Sequence, residues 1–112
     1  MSEHARAVTD ATFETQVLAE SHKKVVMVDF WAEWCGPCRR LAPTVEEVAK
    51  DFAGKAMVLK VNVDDHPSLA QRFNVRSIPT LLFFKDEEVV DQVFGCVPKS
   101  DIVQTLEKHI GA

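Results

Sequence analysis

A chain of 112 residues with 46% hydrophobic residues is long enough to bury one real core and too short for two. Its net charge of −4 and the lack of any Lys/Arg stripe exclude a nucleic-acid binder that works by neutralising phosphates. No stretch reaches the roughly 18 consecutive apolar residues of a membrane span, and the polar start Met1-Ser2-Glu3-His4-Ala5-Arg6 carries no apolar signal core. The expectation is a soluble cytoplasmic domain over residues 1–112, with residues 1–5 as a flexible tail. Three cysteines in such a chain point to redox or metal chemistry, not to a stapled scaffold.

In chain order, a short strand is predicted around Arg6–Val8. Thr9 and Asp10 then offer N-caps to a helix carrying Phe13, Val17 and Leu18 on one side. Ser21 to Lys24 is a polar connection. The run Val25 to Trp31 (VVMVDFW) reads as an interior strand buried on both faces, with one acid, Asp29, in its middle. Cys35 and Cys38 follow at once, three apart at the start of a helix-period pattern. Such a pair sits roughly 5–6 Å apart between Cβ atoms, within the span a disulfide requires, so the two sulfurs can bond and part without unfolding anything. Leu41, Val45, Val48 and Phe52 continue the helix to about Gly54, with an expected kink at Pro43. Val58–Val63 reads as a strand, and Pro67 opens a short helix to about Phe73.

The second half differs in character. Thr80 to Phe84 is another fully apolar run, and only Lys85–Glu88 separates it from the alternating segment Val89–Phe94. So short a link demands an antiparallel hairpin, whereas the helical links of the first half permit parallel crossovers. A last helix from about Lys99 places Ile102, Leu106 and Ile110 on one face. The fold class is therefore α/β: one mixed sheet with helices on both faces.

The stretch Val28-Asp29-Phe30-Trp31-Ala32-Glu33-Trp34-Cys35-Gly36-Pro37-Cys38 resembles the active-site segment of bacterial and plastid-type thioredoxins. Lys60-Val61-Asn62-Val63-Asp64, Arg76-Ser77-Ile78-Pro79-Thr80 and Gly95 support the resemblance in the family's order and spacing. It covers about residues 7 to 110. The resemblance implies a five-stranded mixed sheet flanked by four helices and a thiol–disulfide oxidoreductase that reduces protein disulfides. Cys35 is then the attacking thiolate, its pKa lowered at the helix start, an effect for which thioredoxins are the usual illustration. Cys38, one turn inside, is the buried resolving thiol. Gly36 and Pro37 shape the loop between them.

Asp29 is expected beneath the dithiol, assisting proton transfer at the resolving cysteine. Burial without a partner costs a carboxylate on the order of several kcal/mol, so its pKa should be raised by desolvation, with Lys60 on the next strand as partial partner. The bland alternative is a partly solvated or capping acid. Pro79 is expected cis and facing the cysteines, with the Ile78 backbone open to an added substrate strand. Trp34, Gly36, Pro37, Ile78 and Gly95 would form an apolar rim for client proteins. Trp31 is expected to pack beneath the site, with Asp64 accepting a hydrogen bond from its indole.

Three departures from the family pattern stand out. Cys96 follows Gly95 where a small residue such as Ala is usual; it reads as a semi-buried filler or, alternatively, as a regulatory thiol able to link a dimer. Asp86-Glu87 occupies a hairpin turn that commonly carries Gly, which predicts strain if Glu takes a positive φ. Val97-Pro98 stiffens the entry to the last helix. No paired metal-ligand spacing joins Cys96, His4, His22, His66 or His109, so no metal site is expected and the histidines read as surface residues. Lys23-Lys24 and Arg39-Arg40 read as solvated faces, the second pair placed to steer acidic partners. No Gly-rich phosphate loop is present, so no bound cofactor is expected. The expected partners are disulfide-containing clients and a thioredoxin reductase, NADPH- or ferredoxin-linked, acting on a monomer in the cytoplasm or plastid stroma. The competing class is a redox-independent binding or scaffold subunit that uses the same rim.

Overall fold

The computed structural model describes residues 3–111. Five strands, β1 (Arg6–Ala7), β2 (Val25–Trp31), β3 (Ala56–Asn62), β4 (Thr80–Lys85) and β5 (Glu88–Phe94), form one sheet in the order β1-β3-β2-β4-β5. β1 and β2 run parallel to β3, while β4 lies antiparallel to both β2 and β5. The connections decide this. β2 reaches β3 through the helix α1 (Gly36–Asp51) and β3 reaches β4 through α2 (Pro67–Arg72), but only a two-residue turn joins β4 to β5. The helix α3 (Lys99–Ile110) closes the chain.

β2 is central: its two edges pair with β3 and β4, and residues 25–30 are buried. Successive strand residues face opposite sides, so the run feeds two cores. Val25 and Met27 pack with Leu41, Val45 and Val48 of α1 and with Ile102 and Leu106 of α3. Val26, Val28 and Phe30 pack on the other side with Phe13, Val17 and Leu69. Asp29 falls in the phase of Val25 and Met27, on the face that α1 covers.

Several expectations are corrected in detail. The first helix is a π-helical segment, Glu14–Ala19, running into a 3-10 turn, Glu20–His22. Thr9 and Asp10 do not cap it. The Asp10 carboxylate instead accepts from Ser68 Oγ at 2.6 Å and contacts the His66 ring at 2.8 Å, tying this loop to the start of α2. Of the tail expected over residues 1–5, residues 1 and 2 lie outside the described residues, and the rest is not loose. The amides of His4 and Ala5 donate to the Glu46 carboxylate at 2.9 and 3.0 Å, and Ala5 is buried. The Ala5 amide in first place, helped by His4, holds the Glu46 carboxyl down at about 2. α1 continues through Pro43 to Asp51.

At the β4–β5 turn, Asp86 and Glu87 both adopt positive φ, 51° and 69°. Ser21 supports them: its carbonyl accepts from the Asp86 amide at 2.9 Å, and its buried hydroxyl accepts from the Glu87 amide at 2.8 Å. The His22 ring lies 2.7 Å from the Glu87 carboxylate. External hydrogen bonds thus hold a turn that Gly would otherwise favour. Replacing Glu46 by Ala should release the amino-terminal segment alone. The His4 and Ala5 amides are then expected to exchange about tenfold faster or more in hydrogen–deuterium exchange, with β2 unchanged; unchanged exchange at His4 and Ala5 would refute the tether.

Candidate active site

The site lies where β2 ends. Cys35 caps α1 in an extended conformation, φ −85° and ψ 107°, and its Sγ accepts from the Cys38 amide at 3.1 Å. Pro37 in the first turn costs nothing, since amides there lack helical partners. Cys35 and Cys38 are joined in a disulfide, with Cα atoms 5.2 Å apart. In this oxidised state both are enclosed, each about 3% exposed, so Cys38 is buried as expected. The helix start supplies free N–H groups and a positive dipole end beside Cys35.

Across from the cysteines, the Ile78–Pro79 peptide is cis. The Ile78 carbonyl oxygen lies 3.8 Å from Cys35 Sγ. The Pro79 carbonyl accepts from the Gly95 amide at 2.9 Å, and Gly95 has φ +80°, a conformation open chiefly to glycine. One loop thus fastens the other, and both face the dithiol. Ala32 packs with the two cysteines, and Trp31, Val63 and Ile78 close around them.

Asp29 is 2% exposed, and its Oδ1 has no hydrogen-bond partner among the described residues. Lys60 stands directly opposite it on β3 and Leu81 on β4, positions whose side chains share a face. Desolvation lifts the Asp29 carboxyl to about 7, and the nearby Lys60 charge opposes only part of that rise. Lys60 Nζ also sits 4.6 Å from the centre of the Trp31 ring, a cation–π contact that fixes both side chains. Neither the partly solvated nor the capping reading of Asp29 survives.

The sequence misassigned one hydrogen bond. Asp64 Oδ2 accepts from the Trp34 indole at 2.9 Å, not from Trp31. Trp34 is 67% exposed, so this bond orients a ring that solvent would otherwise leave free. Asn62 positions Asp64, its Oδ1 accepting the Asp64 amide at 2.9 Å. Cys96 is exposed, which overturns the semi-buried filler reading. Arg39 is not simply solvated: its Nη1 donates to the Glu33 carbonyl at 2.8 Å, pinning the loop before Cys35.

Sequence reasoning missed Phe94, 57% exposed beside Gly95 and paired in register with Thr80. The available signal was an aromatic on the outward phase of β5. Among the described residues no group of three or more His, Cys, Asp or Glu converges as a metal ion would require, and no helix is long and apolar enough to cross a membrane.

The family model described as Thioredoxin matches residues 4–108. The chain is 53% identical over 106 residues to Thioredoxin 1 of Synechococcus elongatus, covering 95% of this chain and 97% of that protein. It is 48% identical to Thioredoxin of Chlorobaculum thiosulfatiphilum (92% of this chain, 94% of that protein) and 50% identical to Thioredoxin of Staphylococcus aureus (92% and 95%).

The raised Asp29 pKa has a consequence for stability. Between about pH 4 and pH 7 the unfolded chain ionises this carboxyl while the native state keeps its proton. Stability therefore falls as pH rises through that window and stays lower above it. Asp29→Asn cannot ionise, so it should exceed the parent by on the order of a few kcal/mol at pH 8 and by little at pH 4. Denaturant unfolding at the two pH values checks this; an equal difference at both would show that the carboxyl is not titrating in the fold.

Proposed function

The chain belongs to the thioredoxin family and is a thiol–disulfide oxidoreductase that reduces protein disulfides; on that premise we propose how its residues divide the reaction. The observation that carries the proposal is the Cys35–Cys38 disulfide closed at the N-terminus of α1. In the reduced protein, Cys35 is the nucleophile. Its thiolate attacks one sulfur of a client disulfide, a mixed disulfide forms, and the client's other sulfur leaves as a thiolate that takes up a proton. The N-terminal end of α1 favours the anion at Cys35.

Cys38 then attacks Cys35 Sγ, closing the intramolecular disulfide and releasing the second client thiolate. Two electrons have passed from the dithiol to the client. Asp29 accepts the proton that Cys38 must lose: with a carboxyl near 7 it holds or gives up a proton close to neutral pH. Lys60 limits how far desolvation raises that acid. A group already relaxed by hydrogen bonds would be poorly suited to the task, and the unpartnered Oδ1 supports the role.

Client segments dock across Trp34, Gly36, Pro37, Ile78 and Gly95, with Pro79 turning the Ile78 backbone toward them and Trp31 packing beneath. Phe94 extends this rim. A thioredoxin reductase restores the dithiol, NADPH- or ferredoxin-linked. We assign the protein to the cytoplasm, a thiol-reducing compartment in which a labile dithiol stays reduced, and read it as a monomer, with Cys96 exposed and able to link two copies only under oxidation.

With dithiothreitol as electron source and an oxidised protein as substrate, Cys35→Ser should fall to the uncatalysed rate. Cys38→Ser should accumulate a mixed disulfide through Cys35, visible as the summed mass of both chains. Full turnover by Cys35→Ser, or a mixed disulfide through Cys96, would overturn the assignment. Asp29→Asn should slow release of the mixed disulfide at neutral pH by about tenfold or more, leaving its formation less affected.

A further inference from the structure

At the pole of the sheet opposite the dithiol, a cleft of about 340 Å³ opens between the start of β2 and the end of α3. Every ionisable side chain on its wall is cationic when protonated: Lys23, Lys24, Lys55, Lys85, His22 and His109. No carboxylate lines it, in a chain where 17 acids outnumber 13 Lys and Arg. Lys24 immediately precedes β2, Lys55 immediately precedes β3, and Lys85 ends β4. The far end of β2 is about 20 Å away at the usual rise per residue, so the cleft is separate from the redox site.

The ends of α1 and α3 account for part of this charge, because helix C-termini carry a partial negative charge. Lys85 Nζ donates to the His109 carbonyl at 3.1 Å and so answers α3. His22 contacts Glu87 and Asp86, His109 contacts Asp91, and Lys23 lies 3.5 Å from Glu20. Lys24 and Lys55 remain: neither enters an ion pair among the described residues. Walls of low dielectric lined by one sign of charge concentrate the field and draw in a counter-charge. The space holds about ten waters at liquid density, enough for a diphosphate. No Phe or Trp lines it, so nothing there stacks a base, and the recognition is of phosphate alone.

We propose that this cleft is a binding site for a soluble oxyanion carrying adjacent phosphate groups, held chiefly by Lys24 and Lys55. Both lysines lie outside the redox machinery, and their side chains make no hydrogen bond among the described residues, so the double variant Lys24→Ala/Lys55→Ala keeps its backbone bonds and its core. Amide chemical shifts followed by NMR during addition of pyrophosphate, at fixed ionic strength, test the site. Saturating shifts at Val25, Gly54 and Lys55 are expected, with affinity weakened at least tenfold in the double variant and disulfide reduction unchanged. Linear, unsaturated shifts would overturn the proposal, as would equal affinity in the double variant. So would a response to anionic lipid vesicles but not to pyrophosphate, since it would assign the lysines to a membrane surface.

Discussion

The burial of β2 is the constraint on which the rest depends. Hydrogen bonding on both edges and packing on both faces leave this strand no freedom to slide. Its last residue therefore occupies a fixed point, and the residues after it inherit that precision. Cys35 caps α1 four residues past Trp31, where the free amides of a helix start are available to a thiolate. Each side of the sheet contributes: α1 presses Cys38 inward, and β4 brings Pro79 and Ile78 to the opposite wall.

The same burial makes Asp29 expensive. A carboxylate in that strand is shielded from solvent, and Lys60 offsets only part of the loss. The native state tolerates the penalty because the surrounding core contributes far more than one such group removes. What results is a carboxyl raised to about 7, on the face of the sheet that α1 covers.

Around this core, long-range polar contacts hold the irregular segments. All four histidines touch a carboxylate far away in sequence: His4 with Glu46, His22 with Glu87, His66 with Asp10 and His109 with Asp91. The hydrogen bond raises the His22 pKa, through Glu87 first and Asp86 second, so protonation strengthens that clasp on the β4–β5 turn and the benefit fades as pH rises through its folded pKa. Ser21 and Asn62 do comparable work with neutral groups. Ser21 holds two residues at positive φ, and Asn62 holds the acid that orients Trp34.

The sequence by itself determined the elements whose patterns are local and strong. Strand β2 was legible to the residue from its apolar run, α3 from its spacing, and the hairpin from the shortness of its link. The cysteine pair and the family resemblance located the disulfide and the cis peptide, because each is tied to residues adjacent in the chain. The tertiary structure alone decided whatever rests on contacts between distant segments. Asp64 reaches Trp34 and not Trp31, Asp10 turns to Ser68 instead of capping a helix, Glu46 fastens His4 and Ala5, and Cys96 faces solvent. Side-chain hydrogen bonds and exposure depend on where the chain returns in space, and local periodicity carries no record of that return.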